Sequence, residues 1–110
     1  MTVPILFLDD KQIRFEKFSL ECSLPAKWVQ SSAEAIEHLR GKYWDLVCLD
    51  HDLVGDDNGM IVVDWINEHR PSVGAFIVHS TNVFAAMEMI TILRLGGYFV
   101  RYSPIETDLL

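Results

Sequence analysis

Hydrophobic and polar positions fall into short apolar runs separated by stretches with helical spacing. Val3 to Leu8 is an apolar run closed by Asp9-Asp10, and Pro4 is tolerable near a strand's first residues. From Lys11 to about Cys22, the residues Phe15, Phe18 and Cys22 share one stripe flanked by Ile13, which predicts a helix ended by Leu24-Pro25. Lys27 to Gln30 reads as a short second strand. Ser31-Ser32-Ala33-Glu34 has the form of a capping box, in which hydroxyl and carboxylate satisfy the first amides of a helix. That helix turns Ala33, Ile36 and Leu39 inward and stops at Gly41. Asp45 to Leu49 is the clearest buried strand and runs into Asp50-His51-Asp52. A polar loop, Gly55 to Gly59, precedes a helix over Met60 to His69 with Val62, Val63 and Ile66 inward and Pro71 beyond its end. Gly74 to Val78 is a fourth strand leading to His79-Ser80-Thr81-Asn82. Phe84 to Leu95 is the most apolar helix, closed by Gly96-Gly97, and Tyr98 to Tyr102 is a fifth strand.

Strand and helix therefore alternate four times before a last strand. This order predicts an α/β fold with a parallel sheet and right-handed crossovers. The strand runs are continuously apolar, as strands covered on both faces are. The expected architecture is a flavodoxin-like, doubly wound, five-stranded parallel sheet in the order 2-1-3-4-5. Only Ser103 to Leu110 follow the fifth strand, so the C-terminal helix is expected to be short or missing. One sheet face is then partly uncovered or covered by a partner subunit. A homo-oligomer through that face, or through the apolar fourth helix, is the corresponding expectation.

A length of 110 residues suits one domain with its own core. The net charge of −7 argues against non-specific nucleic-acid binding and against anionic membranes, both of which need basic patches. Two cysteines, Cys22 and Cys48, form no framework, and the first apolar run is too short for a signal peptide or a span. These features lead to the expectation of a cytoplasmic domain.

The polar clusters sit where α/β sheets bind ligands, beyond the carboxyl ends of strands one, three and four. Asp9, Asp10, Asp50 and Asp52 would repel one another in a common pocket. A divalent cation relieves this, and the oxygen ligands suit Mg²⁺, with Mn²⁺ or Zn²⁺ allowed by nearby imidazoles. The Asp50 to Ile61 stretch fails as a calcium loop, because Val54 and Ile61 occupy two ligand positions. His51 and His79 are candidate proton donors or acceptors near neutral pH, so Asp50, His51 and His79 form the candidate catalytic set. Arg14, Ser80 and Asn82 are candidate holders of phosphate oxygens. Arg14 has an alternative as the partner of an acid, and Ser80 and Asn82 as caps of the fourth helix, Asn82 above all.

At these residues the chain resembles the response-regulator receiver fold, also called CheY-like. Asp9-Asp10, Asp50 and Ser80 stand where receivers carry an Mg²⁺-binding acidic pair, a phosphoacceptor Asp and a hydroxyl that orients the phosphoryl group. Receivers also carry a Lys at the end of strand five, commonly before Pro; here the segment reads Val100-Arg101-Tyr102-Ser103-Pro104. Leu8-Asp9-Asp10 with Arg14, Leu49-Asp50-His51-Asp52-Leu53, Asp57-Asn58-Gly59-Met60, and His79-Ser80-x-Asn82 with Met87 are more particular. They are similar to the atypical receivers called cyclic-phosphate-processing receivers. That resemblance implies metal-dependent phosphodiesterase activity on a cyclic phosphate or cyclic nucleotide, in bacteria or phages. It makes a phosphate-containing small molecule or nucleotide the expected partner. The competing expectations are a signalling domain phosphorylated on Asp50, and a non-catalytic module binding a cyclic nucleotide or a protein.

Overall fold

The computed structural model describes residues 3–106. Its elements are β1 (Ile5–Leu8), α1 (Gln12–Glu21), β2 (Ala26–Val29), α2 (Ser32–Leu39), β3 (Trp44–Leu49), α3 (Gly59–His69), β4 (Val73–Val78), α4 (Val83–Leu95) and β5 (Val100–Tyr102). The strands form one parallel sheet in the order β2-β1-β3-β4-β5. This is the doubly wound topology that the alternation of elements predicts.

Side-chain alternation divides the sheet between two cores. Leu6, Leu8, Val47, Leu49, Phe76 and Val78 face α2, α3 and α4, and meet Leu39, Val62, Ile66, Met89 and Leu93. Ile5, Phe7 and Cys48 face the other way and pack with Phe15, Phe18 and Cys22 beside α1. All four residues of β1 are buried, as a central strand requires.

Local differences from the sequence pattern have identifiable causes. In α2 the buried residues are Ser32, Ala35 and Leu39, and Ala33 is exposed. The cap works as read, since the Ser31 hydroxyl accepts from the Glu34 amide. Ser32 turns inward because the Asp57 carboxylate accepts its N–H at 2.8 Å and its hydroxyl at 2.5 Å. β5 starts at Val100, because Tyr98 belongs to the turn after Gly97 (φ +91°), donating its amide to the Leu93 carbonyl.

No helix follows β5 among the described residues; 103–106 run without regular structure, and 107–110 lie outside them. Within the described residues α1 is the one helix on its sheet face, where Ile105 also packs, and a cavity of about 540 Å³ remains there between Phe18, Cys48, Ile77 and Ile105. Cys22 and Cys48 are free thiols. Among the described residues, no helix is long and apolar enough to cross a membrane.

Candidate functional site

Strand register builds the site. Phe7 pairs with Cys48, and Cys48 with Ile77, so these three form one row on the α1 side of the sheet. Two residues further along each strand stand Asp9, Asp50 and His79, which alternation returns to the same side. All three side chains are buried. Two carboxylate oxygens and an imidazole nitrogen come within 4.8 Å of one another.

Each member is held by more than one contact. The Asp9 carboxylate accepts from the Lys11 amide at 2.8 Å, which starts α1 without a side-chain cap from Lys11 itself. Its other oxygen lies 2.9 Å from His79 Nε2. The Asp9 carbonyl accepts from Trp28 Nε1 at 2.7 Å, fixing the backbone as well. The His79 ring stacks on Phe7 with centroids 4.6 Å apart, and its Nδ1 is buried without a partner among the described residues. α3 closes the other side: a Cβ on Gly59 would stand 1.9 Å from the Asp50 carbonyl, so only glycine lets the helix start there.

Arg14 lies inside this group rather than at the helix surface. One guanidinium nitrogen, Nη1, donates to Asp9 at 3.3 Å and to Asp50 at 3.1 Å. Two nearly inaccessible carboxylates therefore share one cation.

The electrostatics of the acids diverge. Burial pushes the Asp50 carboxyl up to about 6, the negative charge of Asp9 adds to this, and His79 and Arg14 oppose it. Burial also acts upward on Asp9. There the His79 hydrogen bond, the Lys11 amide and the charges of His79 and Arg14 prevail and hold the carboxyl below its ordinary value. Asp10 is raised by burial, with the Asp9 charge adding to it, and its Oδ1 is buried with no donor among the described residues.

The remaining predicted residues surround the group. Asp52 is an exposed carboxylate that stands outside the buried set; it lies 2.7 Å from His51 Nδ1 and accepts from the Asn82 side chain at 3.4 Å. Asn82 caps α4, with its side-chain oxygen accepting from the Ala85 amide. Ser80 is buried; its hydroxyl oxygen accepts from the Asn82 amide, and its carbonyl from the Tyr102 hydroxyl. Arg101 is exposed and borders the cavity beside α1, which His79 also lines, and it pairs with no acid among the described residues.

Sequence reasoning missed several supports: Trp28 behind Asp9, Phe7 under His79, and the Asp57–Ser32 clamp that pins the loop before α3. Asp57 and Gly59 stand in the Asp57-Asn58-Gly59-Met60 string of the resemblance, but that string does not reveal their contacts with Ser32 and with the Asp50 carbonyl.

With this geometry in hand, comparison with known proteins is decisive about the family. A family model described as the cyclic-phosphate processing receiver domain matches residues 5–95. The chain belongs to that family.

The fold of this receiver is shared widely. A CheY-like receiver domain from Methanospirillum hungatei JF-1 is similar with a TM-score of 0.69 at 17% identity, over 94% of this chain and 82% of that one. A second, from Methylobacillus flagellatus, has a TM-score of 0.66 at 22% identity, over 96% and 87%. The phosphorylated cyanobacterial phytochrome response regulator RcpA has a TM-score of 0.63 at 18% identity, over 98% and 84%. No curated protein sequence matches significantly. Relative to the receiver pattern, the residue before Pro104 is Ser103 instead of Lys. In this receiver the side chains in contact with the acids are Arg14 on α1, whose guanidinium reaches Asp9 and Asp50, and His79 at the end of β4, whose Nε2 meets Asp9.

Proposed function

We propose that this receiver is a metal-dependent phosphodiesterase that opens a cyclic phosphate. The observation that carries this reading is the buried convergence of Asp9, Asp50 and His79 beside the His51–Asp52 pair. The donor set fits a divalent cation: two carboxylates and one imidazole converge with Arg14 as the one guanidinium among them, and Asp10, next to Asp9 in the chain, has a buried oxygen with no donor among the described residues. Mg²⁺ suits these oxygens, with Mn²⁺ or Zn²⁺ as alternatives. Bound by Asp9 and Asp50, such a cation would neutralise phosphoryl oxygens and polarise the phosphorus toward attack.

The chain's own residues supply the rest. His51 donates Nδ1–H to Asp52, which fixes the tautomer and leaves Nε2 as a base. His51 takes a proton from the attacking water as the new P–O bond forms. The P–O bond to one ribose or alkyl oxygen breaks, and the protonated imidazole returns the proton to that oxygen. The product is a phosphate monoester. Arg14, Ser80 and Asn82 hold the phosphoryl oxygens; His79 positions Asp9.

Phosphorus NMR of 2′,3′-cyclic nucleotides tests this. Monoester is expected with Mg²⁺ and not with chelator, and His51→Gln should be slower by about 10²–10⁴-fold. An intact cyclic phosphate at saturating metal contradicts the reading.

A second reading is phosphorylation of Asp50, favoured by its position beneath Arg14 and by the phosphorylated state of the cyanobacterial neighbour. Intact mass after incubation with acetyl phosphate would then rise by one phosphoryl group, and would not do so in Asp50→Asn.

A further inference from the structure

The site described above leaves one neighbouring feature unused. A groove of about 530 Å³ lies between the N-terminal halves of α3 and α4, with His51, Asn58, Met60, Asp64, Phe84 and Glu88 on its walls. We propose that this groove binds the nucleobase of a cyclic nucleotide, with Phe84 as the stacking surface and guanine favoured. The inference rests on the cyclic-phosphate reading of the acidic site and narrows its substrate to nucleotides.

Phe84 is the first reason. It is the second residue of α4 and is 92% exposed, so its ring faces water rather than the core. A base stacked on it shields both apolar faces. Met60 supplies apolar surface within the same groove, whose size is that of a small-ligand site.

Placement is the second. His51 belongs to the groove wall and directly follows Asp50. Asp52 links His51 to Asn82, the cap of α4, so the proposed base and the groove share one hydrogen-bonded edge. A nucleotide whose phosphate meets the acidic group then carries its ribose past His51 and its base toward Phe84.

The polar walls give the preference. Asp64 and Glu88 are carboxylates from facing helices and can only accept hydrogen bonds when ionised. Guanine offers two adjacent donors, N1–H and the 2-amino group, which match one carboxylate bidentately. Adenine and cytosine offer an amino group, and uracil offers a single N3–H flanked by two carbonyl oxygens that face the same charge. The Asn58 side-chain oxygen already accepts from the Ile61 amide, which leaves its NH₂ to donate to a base acceptor. The two carboxylates also disfavour a second phosphate here.

The test uses two readouts on the Mg²⁺-loaded protein. The first is kcat/KM for 2′,3′-cyclic GMP, 2′,3′-cyclic UMP and the base-free methyl riboside 2′,3′-cyclic phosphate. The second is calorimetric binding of the monoesters guanosine 3′-monophosphate and base-free methyl riboside 3′-phosphate. Cyclic GMP should exceed the base-free compound by about tenfold or more. Phe84→Ala should remove that advantage, and Phe84→Trp should keep it. Folding is not at stake in either variant, because the side chain is exposed. Equal turnover of cyclic GMP and the base-free compound, or no response to Phe84→Ala, overturns the groove while leaving the phosphodiesterase reading intact. If nothing is hydrolysed, Phe84-dependent binding of guanosine 3′-monophosphate still supports the groove, and base-independent or absent binding overturns it.

Discussion

Arg14→Ala should bind Mg²⁺ at least about tenfold more tightly than the natural protein, a gain of about 1.4 kcal/mol. The reason is competition for the same two carboxylates. One guanidinium nitrogen reaches Asp9 at 3.3 Å and Asp50 at 3.1 Å, and a divalent cation between these acids must displace or repel it. Without metal, the same substitution leaves buried carboxylates short of their partner and should destabilise the fold by about 3 kcal/mol. Mg²⁺ should then restore more stability to the variant than to the natural protein, since binding to the native state alone stabilises by mass action. Turnover should nevertheless fall, because the phosphate-holding guanidinium is gone. Calorimetry of Mg²⁺ binding, with urea melts in chelator and in Mg²⁺, separates these effects. Unchanged or weaker metal affinity in Arg14→Ala contradicts the competition.

Asp50→Asn should make the metal-free protein more stable, by up to about 3 kcal/mol above pH 6. The Asp50 carboxyl rises from 3.8 to about 6 on folding, and one pKa unit corresponds to about 1.36 kcal/mol. The sign follows from proton uptake. Between about pH 4 and 6 the native state holds a proton that the unfolded state has released, so this group's contribution to stability falls as pH rises. Below about pH 4 both states are protonated and the substitution should matter little. The stability difference between variant and natural protein should therefore open across that interval and stay constant above it. Asp9 works in the opposite direction, since its lowered carboxyl favours folding when ionised, and it is common to both proteins. Urea melts at stepped pH in chelator measure the difference. A variant less stable than the natural protein at pH 7 would mean that the Asp50 charge is welcome in the fold without a cation.

The sheet was legible because strand runs such as Asp45 to Leu49 are apolar and end in acids, and because Gly and Pro mark the breaks. The convergence of Asp9, Asp50 and His79 was legible too. Each stands two residues beyond an apolar residue of one cross-strand row: Phe7, Cys48 and Ile77. The same alternation explains what stayed hidden. Asp10 and Asp52 lie one residue beyond Asp9 and two beyond Asp50, where the chain has left the strand, and period-two reasoning no longer places a side chain. Asp10 keeps one buried oxygen without a donor among the described residues, and Asp52 turns out to His51. Arg14 was half legible: its helical offset from Asp10 suggested an acid partner, but only the crossing of α1 over the sheet decides that the partners are Asp9 and Asp50. Ala33 misled because Asp57, far along the chain, draws Ser32 inward and rotates the first turn of α2. Long-range polar contacts of this kind leave no periodic trace.

Hydrolysis at this site requires Asp9 and Asp50 to hold one cation in common. Mn²⁺ titration followed by electron paramagnetic resonance counts bound metal directly. The natural protein should bind one Mn²⁺ that Mg²⁺ displaces, Asp9→Asn and Asp50→Asn should each lose it, and Asp52→Asn should keep it. Retention of Mn²⁺ by both Asp9→Asn and Asp50→Asn, or no binding by the natural protein, would contradict the account.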